Sequence, residues 1–196
     1  MEPLALLLTA TGMDNPEDRA RTVAAAKAGD LQAFELLLRQ HERLVLATAL
    51  RLLGNLDDAQ DAAQEVFLKL HRNLAKVQLS GNLTAWLYRV TVNVCHDHHR
   101  RRPETTAIDE AGQLPGTAAD PHQELADAER KHALDLSLRR LSERERTALV
   151  LRDLEGLSTA EVAAALGSTE ATVRSQISKA RVKMKKFVDH YFRRRS

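Results

Sequence analysis

The sequence predicts an all-α fold: two small helical domains joined by a flexible acidic linker, the second domain containing a helix-turn-helix. Three observations predict it. Apolar residues recur at helical spacing through most of the 196 residues, and very few segments alternate as strands do. Only eight Gly and five Pro interrupt a chain rich in Ala, Leu, Arg and Glu, all residues that tolerate helix well apart from the few breakers. Between two such periodic regions, Pro103 to Ala128 holds Glu104, Asp109, Glu110, Asp120, Glu124 and Asp127 and no Lys or Arg. The boundaries read as a disordered tail over 1–20, a first domain over 21–102, the linker over 103–123, a second domain over 124–192 and a basic tail over 193–196.

Each element has a local reason. Thr22 to Ala28 suggests a short helix ended by Gly29. Asp30 is placed to cap a long helix, Leu31 to Leu53, with Phe34, Leu37, Leu38, Leu44, Val45 and Ala49 inward, and Gly54 stops it. Asp57 would open the next helix with Gln60 in the capping-box position, burying Ala62, Ala63, Val66, Phe67 and Leu70. Asp57, Asp58, Asp61, Gln64 and Glu65 crowd its N-terminal half. Acids there suit the helix dipole, and pattern alone favours that explanation over an acidic docking face. Lys76 to Asn82 reads as a loop marked by Ser80 and Gly81, and Leu83 to about Arg101 as a helix with Trp86, Leu87, Val90 and Val94 buried. Pro103 ends that helix, and Pro115, Gly116 and Pro121 argue against regular structure in the linker.

In the second domain one helix runs from near Glu124 to Arg140. Ser142 and Glu145 form a capping box for a helix ending at Gly156, and Ser158 with Glu161 forms another. The last pair of helices turns at Gly167, with Ser168 or Thr169 as the cap of the second. Val173, Ile177, Ala180 and Met184 are then its inward stripe. The opposite face carries Thr172, Arg174, Ser175, Gln176, Ser178, Lys179, Arg181 and Lys183. Short donors near the N-terminal end and cations toward the C-terminal end suit a helix that touches base edges and holds phosphates, so the unit reads as a DNA-binding helix-turn-helix.

The formal charge of +2 is small, but its distribution is informative. Arg100, Arg101 and Arg102 form one basic cluster, Lys179 to Lys186 a second, and Arg193 to Arg195 follow. Two basic blocks around an acidic spacer suggest two contact points on a polyanion. The single Cys95 excludes an internal disulfide and a multi-cysteine zinc module. No apolar run approaches membrane-spanning length, and Leu4 to Leu8 lacks the basic flank of a signal peptide, so a cytoplasmic protein without membrane insertion is expected. His96 and His99 share a helix face and are the weak candidates for a metal site. Completing one would need distant groups such as His41 or His71, so no metal or other cofactor is expected. No nucleophile–base arrangement, phosphate loop or carboxylate pair stands out, and no enzyme is predicted.

Three stretches, DAQDAAQEVFLKL, TAWLYRVTVNVCHDHHRRR and LSERERTALVLRDLEGLSTAEVAAALGSTEATVRSQISKARVKM, resemble in order the bacterial RNA polymerase sigma factors. Length and layout are similar to the extracytoplasmic-function subgroup, which keeps the second and fourth conserved regions. The resemblance implies that Asp61, Gln64 and Glu65 bind core RNA polymerase, against the dipole explanation that pattern alone favours. Gln60 and Ala62 depart from the acidic and larger apolar residues frequent in that helix. It implies that Val77, Ser80 and Asn82 of the loop, with Asn93, capture a flipped base of the single-stranded −10 element. Arg89, Arg100, Arg101 and Arg102 would hold phosphates of the opening duplex. It implies that Thr172, Arg174, Ser175, Ser178, Lys179 and Arg181 meet the duplex −35 element, with Lys183 on a phosphate. Relatives often carry a larger residue at the position of Ser178. The family also implies that the acidic linker passes through the polymerase interior, and that an anti-sigma factor can hold such a chain inactive.

The competing reading is a helix-turn-helix transcriptional regulator with an N-terminal helical sensor domain. It shares the C-terminal third but explains neither AWLYRVTVN nor the acidic helix before it, and the sequence shows no dimerisation seam. A sequestering, anti-sigma-like interaction protein would leave the basic clusters unexplained.

Overall fold

The computed structural model describes residues 16–75, 83–101 and 121–194, and among these every regular element is helical. The order is α1 (Pro16–Lys27), α2 (Leu31–Leu53), α3 (Leu56–Asn73) and α4 (Leu83–Arg101), then α5 (Pro121–Arg139), α6 (Glu143–Leu149), α7 (Thr159–Leu166) and α8 (Glu170–Arg193). A π-helical turn, Val150–Leu154, continues α6.

The helix ends follow side-chain chemistry. Asp30 accepts from the backbone N–H of Gln32 and Ala33 at the start of α2. Gly54 closes that helix at φ 81°, a left-handed conformation that selects glycine. Both expected capping boxes form: Ser142 with Glu145 opens α6, and Ser158 with Glu161 opens α7. Thr169, rather than Ser168, caps α8.

Four expectations are corrected. The cap of α3 is Asn55, whose side chain accepts from the Asp58 N–H; Asp57 lies inside the first turn, where its charge favours the dipole. Helix α1 starts at Pro16, inside the stretch read as a tail. Pro121, read as a breaker, instead opens α5. A proline's fixed φ and missing N–H suit a first helical position, which explains both prolines. At the other end α8 continues through Arg193 into the stretch read as a basic tail.

Helices α2, α3 and α4 pack on one another, with α1 against α2. Leu37, Val45, Val66, Leu70, Leu87, Val92 and Val94 are buried between them. Trp86, Val90 and Phe67 are half-buried at the edge of that core. In the second half α8 lies against α5, α6 and α7, burying Val173, Ile177 and Ala180 against Val150, Leu151 and Val162. The two halves also touch: α4 packs on α7, and the C-terminal end of α2 meets α6 and the π turn. Buried apolar residues of both halves therefore form one contiguous cluster.

Cys95 sits in that cluster with 2% of its surface exposed. Burial, followed by the nearby Glu143 carboxylate, pushes its thiol up to about 12. A thiol held protonated and enclosed is inert. The native chain is therefore expected to react with iodoacetamide at pH 8 far more slowly than the same chain in denaturant, as followed by mass spectrometry. Equal rates would contradict the packing.

Candidate nucleic-acid interface

The face of α8 opposite its buried stripe is open. Thr172, Arg174, Ser175, Ser178, Lys179 and Arg181 are all exposed, with Gln176 half-buried between them. The period that buries Val173, Ile177 and Ala180 fixes this, because helix neighbours at three and four residues share a face. Within that face the cations differ in freedom. Among the described residues Arg174 pairs only with Glu170 one turn earlier, at 3.0 Å, and both side chains are at least half exposed. Such a surface pair is worth little, so a base or phosphate competes for the guanidinium easily.

Arg181 is held otherwise. Its Nε and Nη2 donate to the two carboxylate oxygens of Asp153 at 2.8 and 2.7 Å, a bidentate fork that raises its pKa. Nζ of Lys183 donates to both oxygens of Glu145 at 2.9 and 2.7 Å, and the same carboxylate accepts from the Ser142 N–H. The hydrogen bond from Lys183 is the largest cause holding the Glu145 carboxyl below its usual range. These pairs tie α8 to the π turn and to α6. They orient the helix that carries the exposed polar face, a scaffolding part that the sequence reading did not assign to Arg181 and Lys183.

On the first half, Asn93 and Arg89 are exposed on α4, as are Arg100 and Arg101 at its end. Arg100 pairs with Asp97, which lowers that carboxyl's pKa. Val77, Ser80 and Asn82, with Arg102, lie outside the described residues. Asp61 and Gln64 are exposed on α3, while Glu65 is half-buried between Lys69, 2.9 Å away, and His98 at 3.3 Å. The Lys69 hydrogen bond is the first cause of the lowered Glu65 pKa, with His98 adding to it. The acidic face of α3 and the basic end of α4 thus adjoin but point to different chemistry: one suits a basic partner, the other phosphate.

His96 and His99 line a small cavity with Leu52, Leu53, Cys95, Glu143, Arg146 and Thr147. Nε2 of His96 lies 3.2 Å from Thr147 Oγ1 and 3.6 Å from Glu143 Oε1, and burial lowers its pKa. Among the described residues no three His, Cys, Asp or Glu side chains converge as a metal site would require, and no helix is long and apolar enough to cross a membrane.

With these surfaces in place, comparison with known proteins is specific. Residues 37–104 match the family Sigma-70 region 2, and residues 131–184 match Sigma-70, region 4. The chain is 33% identical over 178 residues to the ECF RNA polymerase sigma factor SigE of Mycolicibacterium smegmatis, covering 89% of this chain and 69% of that protein. It is 31% identical to the RNA polymerase sigma-H factor of Pseudomonas aeruginosa, covering 84% of this chain and 91% of the relative. In three dimensions it is similar to CnrH, solved in complex with the cytosolic domain of CnrY. That match has a TM-score of 0.66 at 26% identity and covers 88% of this chain and 97% of CnrH. Family matches to both regions, relatives matched over most of the chain, and a shared helical architecture agree: this chain belongs to the ECF RNA polymerase sigma factors.

Proposed function

We propose that the chain is an alternative sigma factor that binds core RNA polymerase, directs it to promoters through −35 and −10 elements, and promotes strand opening in the cytoplasm. One observation carries this reading: a single chain holds a region 2 and a region 4 domain, each presenting its own open charged face. Three separate tasks follow. Asp61, Gln64 and Glu65 on α3 dock on a basic surface of the polymerase. Thr172, Arg174, Ser175, Ser178 and Lys179 read and hold the −35 duplex, with Arg181 able to share a phosphate while anchored to Asp153. Asn93 and the loop residues Val77, Ser80 and Asn82 take a flipped −10 base, with Arg89, Arg100 and Arg101 on the backbone. The region 2 domain spans 21–102 and the region 4 domain 124–192, and the acidic segment 103–123 joins them. No covalent chemistry is assigned to the protein.

The chemistry of Asn93 supports its role. An amide donates and accepts at once, so it can replace the pairing that a base loses on leaving the duplex. Asn93→Ala is expected to lower the yield of open complex, read by permanganate footprinting, roughly tenfold or more, the value of a lost bidentate base contact. Duplex binding at the −35 element should stay unchanged. An undiminished open-complex yield would remove Asn93 from the site. The partner reading extends to an anti-sigma factor, since the sigma factor RpoE of Bartonella quintana, which bears this fold, was solved with the anti-sigma factor NepR.

A further inference from the structure

Three histidines lie in CHDHHR, residues 95–100, and helical geometry sends them to different places. His96 and His99 turn toward α6, where they line the small cavity with Glu143 and Thr147. His98 does not. It follows Thr91 and Cys95 at helical spacing, both of them buried, so it ends the stripe by which α4 packs on its neighbours, and its ring meets α3. Only 21% of its side chain is exposed.

The group it meets is one carboxylate. Nε2 of His98 is 3.3 Å from Oε2 of Glu65, and Nζ of Lys69 is 2.9 Å from Oε1. Lys69 first, and then His98, hold that carboxyl below its usual range, so it is ionised and can only accept. The hydrogen of the shorter side chain therefore sits on Nε2 of His98. The two partners are not equivalent. Lys69 lies one turn along the same helix on a long flexible stem, and such a pair constrains little at a surface. His98 comes from a different helix, at the end of a buried stripe, and fixes where the carboxylate stands relative to the body of the domain. Glu65 shares its face of α3 with Asp61 and Gln64. Both of those are exposed, and among the described residues neither side chain has a hydrogen bond or ion pair. Glu65 is thus the one member of the three that is held before a partner arrives. A carboxylate offers about four acceptor positions, of which Lys69 and His98 take two. With 30% of its side chain exposed, Glu65 can offer the rest to a partner.

We propose that His98 is a positioning residue for polymerase docking: its Nε2–H holds the Glu65 carboxylate in the orientation that a basic surface engages, so that α4 as well as α3 sets the affinity for core polymerase. The proposal rests on the docking role assigned to α3 above. The gain is entropic. Immobilising a long side chain at an interface lowers affinity roughly 3- to 10-fold, and a carboxylate that is already held does not incur that loss. Charge acts the other way, because a cation beside Glu65 weakens its attraction for a basic partner. Removing His98 therefore raises the affinity if charge alone matters and lowers it if orientation matters, and the sign decides between them.

The test measures the affinity of the full-length chain for purified core polymerase by fluorescence anisotropy of an N-terminal label. His98→Leu keeps apolar bulk and deletes the donor, and it is expected to weaken binding about 3- to 10-fold. His98→Gln offers an uncharged amide N–H at similar reach and should restore most of the lost affinity, a rescue that repaired packing or charge would not give. In a Glu65→Ala background, His98→Leu should have no further effect, since the group that it orients is gone. Binding by His98→Leu as tight as wild type or tighter, no rescue by His98→Gln, or an equal loss in the Glu65→Ala background would each overturn the positioning role. The docking reading fails separately: Asp61→Ala and Glu65→Ala chains that both bind core polymerase as wild type does would remove α3 from the interface, and the proposal with it.

Discussion

With Arg174 changed to Ala, initiation from −35-dependent promoters is expected to fall by about 10- to 100-fold, the range of one good bidentate arginine contact to guanine. Core binding should be unaffected. The expectation rests on the difference among the cations of α8. Arg181 is forked onto Asp153, and Lys183 onto Glu145, so each already spends its charge within the protein. Arg174 has an exposed pair with Glu170 at 3.0 Å, and it sits near the N-terminal end of the helix, where a recognition helix meets base edges. The measurement is run-off transcription on templates with and without an intact −35 element, beside a core-binding titration. A parallel loss of both activities would mean that Arg174 supports the fold rather than the contact. Glu170→Ala is the informative companion: releasing Arg174 should leave initiation intact or raise it slightly.

The second large effect is on stability. Truncating Leu87 to Ala is expected to cost about 2–5 kcal/mol, the range for emptying a fully buried leucine site. Leu87 has no exposed surface and lies on α4, which packs against α2 and α3. The midpoint of thermal unfolding, followed by circular dichroism, should fall by roughly 4–20 °C for a chain of this size. Leu68→Ala is the control, since Leu68 lies on the neighbouring α3 but is 50% exposed. A drop as large for Leu68 as for Leu87 would contradict the packing described.

Much of this architecture was legible from residue order. Asp30 and Gly54 bound α2, the two Ser-x-x-Glu boxes open α6 and α7, and the 173, 177, 180 stripe predicts which face of α8 is buried. These signals are local, and each is enforced by a hydrogen bond or a packing contact within a few residues. Where two local signals compete, sequence alone does not rank them. Asn55 and Asp57 have the same capping chemistry, and the chain uses Asn55. A proline such as Pro121 either breaks a helix or starts one, depending on whether the residues after it continue the helical pattern, and here it starts α5. The exposure of Arg174 and Asn93 also followed from periodicity.

Long-range polar pairs left no trace. Arg51 and Glu155 are 104 positions apart, and Tyr88 and Glu155 67 apart, each an ordinary residue on its own helix. In the sequence Arg181 is one more cation of a basic face; in the structure Asp153, 28 positions earlier, holds it. The π turn that precedes Glu155 has no residue signature either, and it is marked only by bonds such as that from the Glu155 N–H to the Val150 carbonyl at 2.9 Å. The site was therefore readable as a set of exposed chemical groups, while the arrangement that positions them was not.

That this one chain gives core polymerase its promoter choice through two separate elements is tested most directly by run-off transcription from fragmented genomic DNA. Purified core polymerase is used with and without the chain, and new 5′ ends are read. Discrete new starts that share two upstream motifs are expected, and only when both proteins are present. DNA binding by the chain alone, with no new starts on adding polymerase, would contradict this and favour a helix-turn-helix regulator.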